Sequence, residues 1–408
     1  MVNLSFWRGA EDDRGGEPKL PLGIRKAMDL AGRIEVGSLE MVLPDGRRFE
    51  FRGAMPGPEA KLIIKDQAFA RRLAEGDIGV AESYLAGEWE SPDVAKFLEV
   101  FAANQPVLER LLKDRPALRF MQMISHWRNR NTRAGSKRNI HAHYDLGNAF
   151  YKEWLDPSMT YSSALGVAED GDLAAAQRRK NAALVESLQI EPSHHVLEIG
   201  CGWGGFAEFV AKTVGAQVTA LTISKAQYDF ARERIFNAGL ADKVTVEMRD
   251  YRDEHGAYDR IASIEMFEAV GEEYWQAYFG QLWACLKSGG RAGVQVITIR
   301  EDIFPRYRRE LDFIRRFIFP GGMLPTPTIL RQLAEKHGLN VDAVRAFGLD
   351  YALTLATWRD RFQSAWDRIA PLGFDERFRR LWSYYLSYCE AGFRAGSIDV
   401  QQMVMAKP

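Results

Sequence analysis

The feature that most limits what this chain can fold into is the regular alternation of short apolar runs and helical segments after residue 172. HVLEI (195–199), AQVTAL (216–221), KVTVEM (243–248), YDRIASI (258–264) and RAGVQVITI (291–299) are β-type runs. Helical segments separate most of them, as at 225–238 and 272–287, and LAAAQRRKNAALVESLQI (173–190) repeats its apolar residues near the helical period. Strands that alternate with helices pair in parallel, because each crossover helix must pack back onto a face of the sheet. The expected core is therefore a largely parallel sheet with helices on both faces, and such sheets bind ligands beyond the carboxyl ends of their strands.

The first of these strands runs into LEIGCGWGGF (197–206). Gly200, Gly202 and Gly205 satisfy the dinucleotide fingerprint G-x-G-x-x-G. Two details pull away from a dehydrogenase. Glu198 stands two residues before the first glycine, and the second strand ends in ALTIS (220–224) without the acid that holds a nicotinamide cofactor's ribose. An acid followed by this packed loop is the pattern of S-adenosylmethionine-dependent methyltransferases, whose cofactor brings an amino-acid end and no pyrophosphate to the glycines. Turn chemistry alone explains one glycine well and a strand-linked cluster of four poorly.

Upstream, residues 1–19 are polar and are expected to be loose, and 20–112 read as a small mixed domain. SLEMVLPDGRRFEFRG (38–53) alternates about Asp45-Gly46 like a hairpin, and IKDQAFARRLAEGDIGVAESYLAGEWES (64–91) reads as helix, glycine break, helix. A basic linker follows over 113–139. It carries Arg115, Arg119, Arg128, Arg130, Arg133, Lys137 and Arg138, with no acidic residue between Asp114 and Asp145. Phe120, Met121, Met123, Ile124 and Trp127 lie beside its densest part, a mixture suited either to a solvated linker or to an anionic membrane surface. A net charge of −1 leaves any taste for anions to such local patches and gives no nucleic-acid signature. The three cysteines have no metal-ligand spacing and point to a reducing compartment. No apolar run reaches the ~20 residues of a membrane span.

A family resemblance rests on eight blocks in order. They are HAHYDLGNAFYKEWLDPSMTYSSA (141–164), LEIGCGWGGFA (197–207), TALTISKAQ (219–227), RDYRD (249–253), SIEMFEAVG (263–271), FIFPGGMLPT (317–326), FGLDYALTLATW (347–358) and YYLSYCEAGFRAGSIDVQQMV (384–404). Together they resemble the cyclopropane-fatty-acyl-phospholipid synthase family, which includes the mycolic acid cyclopropane synthases and related lipid C-methyltransferases. The resemblance covers residue 140 to the C-terminus closely and the N-terminal segment more loosely. It implies an α/β fold of the Rossmann-like class I methyltransferase type over 140–408, with a mostly parallel seven-stranded sheet and a smaller N-terminal α+β accessory domain.

The chemistry the resemblance implies is attack by the cis double bond of an unsaturated acyl chain on the sulfonium methyl of S-adenosylmethionine. The resulting carbocation then loses a proton. Ring closure gives a cyclopropane fatty acid; proton loss elsewhere gives a methyl-branched unsaturated chain. Such a cation needs a site shielded from water and lined by rings. Phe267, Tyr274, Trp275, Phe313, Phe317, Phe319, Tyr351 and Trp358 are available for that or for core packing.

For the cofactor, the resemblance implies Tyr144, Tyr161 and Ser162 near the start of the domain, and Glu198, Gly200, Gly202, Trp203 and Gly204 at the loop. It implies Leu221, Thr222, Ser224 and Gln227 on the ribose side, and Asp250 and Tyr251 near adenine. For proton removal, the family holds a bicarbonate ion on a cysteine, a glutamate, a histidine and a tyrosine. In this chain those positions are Ser163, Glu268, Gln295 and Tyr351, so two of the four have changed type. A changed pair could steer the cation to methyl addition without ring closure. His143 is a further candidate for the proton. Glu265 is expected to have a structural or cofactor-edge role.

The implied partners are a phospholipid bilayer, met from the cytoplasmic face as a peripheral protein, and a second copy in a homodimer or higher oligomer; no metal is implied. The insertion at 300–330, which interleaves Arg with Phe and Ile, is expected to cover the acyl channel and approach headgroups. A small-molecule methyltransferase and a non-catalytic lipid-binding protein are the rival readings.

Overall fold

A computed structural model of the 408-residue chain describes residues 20–105, 107 and 146–408. Two compact units divide between Asn129 and Arg130. The basic stretch 113–139 lies outside the described residues, as do 1–19, His143 and Tyr144.

The first unit carries a four-stranded sheet in the order β2-β1-β3-β4, with β1 Val36–Val42, β2 Arg48–Arg52, β3 Met55–Ile64 and β4 Trp89–Glu90. β1 and β2 form the expected antiparallel hairpin, and Gly46 takes the positive φ of +87° that its turn requires. The glycine break is also present: Gly76, at φ +73°, opens helix Gly76–Leu85 after a shorter helix, Phe69–Arg72. Ile64 and Trp89–Glu90, read as helical, instead end β3 and form β4. β3 gave no alternation signal because Pro56, Gly57 and Pro58 occupy its first half, which is exposed. Helix Val94–Ala103, capped by Asp93, ends at the buried Asn104. Its side-chain oxygen accepts from the backbone N–H groups of Glu35 and Val36, and its amide donates to the carbonyls of Val36 and Val100. One saturated amide thereby fastens the helix to the start of β1.

The second unit is built on a sheet of seven strands among the described residues: β5 His195–Ile199, β6 Gln217–Thr222, β7 Val244–Met248, β8 Tyr258–Ile264, β9 Leu286–Ile299, β10 Asn340–Ala346 and β11 Ile398–Ala406. Their order is β10-β11-β9-β8-β5-β6-β7. β5 to β9 are mutually parallel, and β11 inserts antiparallel between β9 and β10. The order reverses at β5, which sits between β6 and β8, and this opens a crevice at the carboxyl ends of β5, β6 and β8. The apolar layers that hold the sheet flat against its helices include Leu197, Ile261, Val294, Phe279 and Leu282 on one side and Val196, Val218, Ala220, Phe206 and Val210 on the other.

Helix Leu173–Leu188 begins at Asp172, whose carboxylate accepts from the N–H of Ala174, and ends where Gln189 turns left-handed. Its buried stripe, Leu173, Ala176, Gln177, Lys180, Leu184 and Leu188, includes an amide and an ammonium among aliphatics. A lysine on the inward face of a helix is costly unless something at the site needs it.

Candidate active site

β5 ends at Ile199, and the chain turns back at once. Gly200 and Cys201 both donate to the carbonyl of Leu221, at 3.0 and 2.8 Å. Gly200 and Gly204 take φ of +79° and +80°, and Gly204 leads directly into helix Gly205–Thr213. A Cβ on Gly200 would stand 2.8 Å from Met266 Cγ, whereas one on Gly202 would meet nothing within 4 Å. Glu198 is buried just before the turn. Burial pushes its carboxyl well up, with Lys180 opposing, and Oε2 has no hydrogen-bond partner among the described residues.

Trp203 is also buried, and its Nε1 donates to Asn148 Oδ1 at 2.8 Å. Leu221 and Thr222 end β6; Thr222 Oγ1 donates to Gln227 Oε1 at 2.9 Å, and Ser224 caps the following helix. Asp250 pairs with Arg252 through both oxygens, which holds its carboxyl below the usual range, and Tyr251 packs edge-on to Tyr278. Tyr161 Oη lies 2.7 Å from Tyr385 Oη, and Ser162 Oγ accepts from Lys180 Nζ at 3.2 Å.

The buried carboxylates lie at the end of β8. Glu265 is in the left-handed region at φ +51°, an unusual place for a non-glycine residue, and its N–H donates to the Gln295 carbonyl at 2.8 Å. That turn directs its side chain inward, where three donors meet it. Oε1 accepts from the Ser163 N–H and from Gln295 Nε2, both at 2.8 Å, and Oε2 accepts from Tyr351 Oη at 2.6 Å. The Gln295 amide is oriented from behind, because its Oε1 accepts from Gln402 Nε2 at 3.1 Å. Burial holds the Glu265 carboxyl above the usual carboxylate range, and the three donors and then Lys180 offset only part of that rise.

Glu268, one turn further on, has a different setting. Oε1 accepts from the Ile297 N–H at 2.6 Å, and Oε2 is buried with no partner among the described residues. Burial first, then the charge of Glu265, pushes its pKa up to about 8.

The structure thus brings Ser163, Gln295 and Tyr351 together, but around Glu265 and not around Glu268. Ser163 contributes its backbone N–H, since its hydroxyl donates to the Ala164 carbonyl. Sequence reasoning gave Glu265 a structural or cofactor-edge role and did not pick out Lys180, Gln402 and Tyr385. The one available signal for Lys180 was its position on the apolar stripe of helix Leu173–Leu188.

Rings enclose this carboxylate. Tyr351 packs against Phe393 at 4.5 Å and Trp358 at 6.1 Å between centroids, and Trp358 lies 5.3 Å from Tyr161. Phe267 and Trp275, by contrast, stack on each other in the core below the sheet, and Tyr274 is exposed. The insertion packs its Phe313 between Phe317, Tyr384 and Tyr388, and its Phe319 against Tyr385. It returns to the site where Met323 N–H donates to the Glu268 carbonyl at 2.9 Å.

The family model for mycolic acid cyclopropane synthetase matches residues 131–403. The chain belongs to this family. Relatives extend the likeness over most of the sequence. Tuberculostearic acid methyltransferase UfaA1 of Mycobacterium tuberculosis is 37% identical over 383 residues, 90% of this chain and 88% of that protein. Cyclopropane-fatty-acyl-phospholipid synthase of Escherichia coli is 35% identical over 356 residues, 85% and 88% of the two chains. Among solved structures, mycolic acid cyclopropane synthase CmaA1 complexed with SAH and CTAB matches with a TM-score of 0.63 and 31% identity, over 66% of this chain and 98% of that one. At 17% identity, coclaurine N-methyltransferase bound to N-methylheliamine and SAH (TM-score 0.60) speaks for the fold alone.

This family member is an S-adenosylmethionine-dependent methyltransferase with the class I fold. The residues present suit the cofactor. A glycine loop with open space over Gly202 and a buried, half-unpartnered Glu198 carboxylate can receive its amino-acid end, and Thr222 and Gln227 can hydrogen-bond ribose hydroxyls. S-Adenosylmethionine supplies an electrophilic methyl on sulfur. Bicarbonate does not suit the residues present: the donors at three of its four positions are already spent on Glu265.

Proposed function

We propose that this protein transfers a methyl group from S-adenosylmethionine to the cis double bond of an unsaturated fatty acyl chain in a membrane phospholipid, with proton loss from the resulting cation. The observation that carries this reading is the pairing of a buried carboxylate, Glu265, with the rings of Tyr161, Tyr351, Trp358 and Phe393 beside the glycine loop. Methylation of an amine or hydroxyl proceeds by attack of a heteroatom lone pair and passes through no carbon cation. A carbon cation needs ring faces, a nearby negative charge and the exclusion of water.

Two products share this chemistry and the same net gain of one CH2. A cyclopropane forms if the proton leaves the transferred methyl, and a methyl-branched alkene if it leaves the chain. The cyclopropane is the product the sequence puts first. The branched product is favoured by one feature, the attachment of the Glu265 carboxylate to the backbone: a tethered base reaches fewer carbons than a mobile ion. The likeness to UfaA1, a tuberculostearic acid methyltransferase, agrees with this second reading.

No helix among the described residues is long and apolar enough to cross a membrane, and the proposed meeting with lipid is at the bilayer surface. The insertion supports this through Arg308, Arg309 and Arg316 interleaved with apolar residues, and the basic stretch 113–139 supports it by composition. A homodimer or larger assembly, on the cytoplasmic face, completes the proposal.

The test is turnover of methyl-labelled S-adenosylmethionine with vesicles of cis-unsaturated phospholipid. Mass spectrometry of the released fatty acids should show a gain of one CH2, and fragmentation distinguishes ring from branch. Label passing to soluble amines and never to lipid would overturn the reading.

A further inference from the structure

We infer that Glu265 is the proton acceptor of the reaction, a carboxylate built into the chain in the position where a small exchangeable oxyanion would otherwise be held. The inference rests on the acyl-methylation reading above and goes one step beyond it.

Geometry carries the assignment. Three donors from separate parts of the chain, the Ser163 N–H, Gln295 Nε2 and Tyr351 Oη, converge on one buried carboxylate, and the charge of the buried Lys180 acts on it as well. Three hydrogen bonds to a carboxylate favour its ionised form. The residue that carries it is held in a left-handed conformation costing about 1–3 kcal/mol, which persists only where the surroundings over-determine it. A purely structural acid would not need that turn, since a glycine there would satisfy the backbone at no cost. Met266, the next residue, packs over Gly200 of the cofactor loop, so the carboxylate is fixed close to where the methyl donor binds.

The step balances without any further reagent. The π pair of the double bond becomes the new C–C bond to the methyl group, and the C–S bonding pair returns to sulfur, leaving a neutral thioether. The adjacent carbon is left cationic. A neighbouring C–H pair then becomes the new π bond or the third ring bond, and the proton passes to Glu265. A proton next to a carbocation is strongly acidic, so the acceptor needs charge and position more than high basicity. Glu265 has both, and before proton transfer its charge also stabilises the cation.

The experiment uses the full-length protein with two substitutions. Glu265→Gln keeps the size and one acceptor oxygen. Glu265→Gly removes the side chain, relaxes the backbone and leaves the three donors facing a space that formate or bicarbonate can fill. Both variants should lose about 100-fold or more in kcat while binding S-adenosylhomocysteine like the wild type by calorimetry. Formate or bicarbonate should restore Glu265→Gly by about tenfold or more and leave Glu265→Gln inactive. Full activity in Glu265→Gln overturns the inference, and so does a loss in Glu265→Gly that neither anion relieves.

A second readout needs no turnover. By 13C NMR, labelled bicarbonate should bind Glu265→Gly and not the wild type; binding to the wild type overturns the inference. If the wild type never methylates lipid, the acyl-methylation reading fails by itself, and the NMR result still decides whether Glu265 fills the oxyanion position.

Discussion

Tyr351 donates a 2.6 Å hydrogen bond to Glu265 Oε2 from 86 residues further along the chain, joining helix Gly348–Ser364 to the end of β8. Tyr351 is itself buried, and burial with the Glu265 charge beside it holds its phenol well above the usual range, so it serves as a donor throughout the working pH. Replacing it with phenylalanine removes one of three charge-assisted bonds, worth about 1.5–3 kcal/mol. Tyr351→Phe is expected to lower kcat by about 10- to 100-fold with unchanged affinity for S-adenosylhomocysteine. Steady-state kinetics beside calorimetry measures both; an unaltered kcat would show that the bond plays no part.

Gln402 acts at one remove. It is buried on β11, and by donating to Gln295 Oε1 it leaves Gln295 Nε2 as the end facing Glu265. Gln402→Leu should reduce kcat by about 3- to 10-fold, in line with the loss of one neutral hydrogen bond. Combining it with Gln295→Leu should cost little more than Gln295→Leu alone. Strictly additive effects in that double-mutant cycle would contradict the proposed orientation.

The acidic pair gives a pH-dependent signature of stability. The Glu268 carboxyl titrates near 8 in the folded protein and near 4.5 in an unfolded chain. Between those values the folded state binds the extra proton, so this group stabilises the fold at acid pH and loses that contribution as pH rises to 8. Glu268→Gln keeps an acceptor for the Ile297 N–H and removes the titration. It should therefore exceed the wild type in stability by a margin that grows from pH 5 to pH 8, on the order of 1–3 kcal/mol. Denaturant titrations at several pH values read this directly; parallel curves for the two proteins would refute it.

Two glycines of the cofactor loop separate steric from conformational demand. Both have positive φ, but a Cβ at Gly200 would collide with Met266 and one at Gly202 meets only open space. Gly202→Ala should cost about 1 kcal/mol for its backbone alone. Gly200→Ala should cost about 1–3 kcal/mol more and also weaken cofactor binding, because Met266 must move. Equal destabilisation of the two would mean that the contact with Met266 carries no energy.

How far the sequence disclosed this molecule depended on how local each signal was. β5 to β9 were legible because each is a short apolar run with its own turn residues. β3 was hidden by two prolines and a glycine, and β11 places Gln401 and Gln402 side by side in the interior, against any alternation. The glycine loop and its cofactor were readable from spacing within ten residues. Choosing between Glu265 and Glu268 was not possible from their spacing. The choice depends on the handedness of one backbone torsion and on donors at 163, 295 and 351, which become neighbours only when the sheet has closed. Lys180 was lost for a similar reason: in a helix it counts as a surface cation until one sees which face is covered.

The left-handed turn at Glu265 also bears on the order in which this protein becomes itself. Residue 265 has no cause to leave the ordinary regions of backbone space while its three donors are still remote in an assembling chain, and long-range encounters of this kind are the slow ones. The end of β8 therefore takes its shape only together with the donors at 163, 295 and 351, and Met266 takes its place on the Gly200 turn with it. The proposed base and the loop that would receive the methyl donor are thus shaped by one and the same set of long-range contacts.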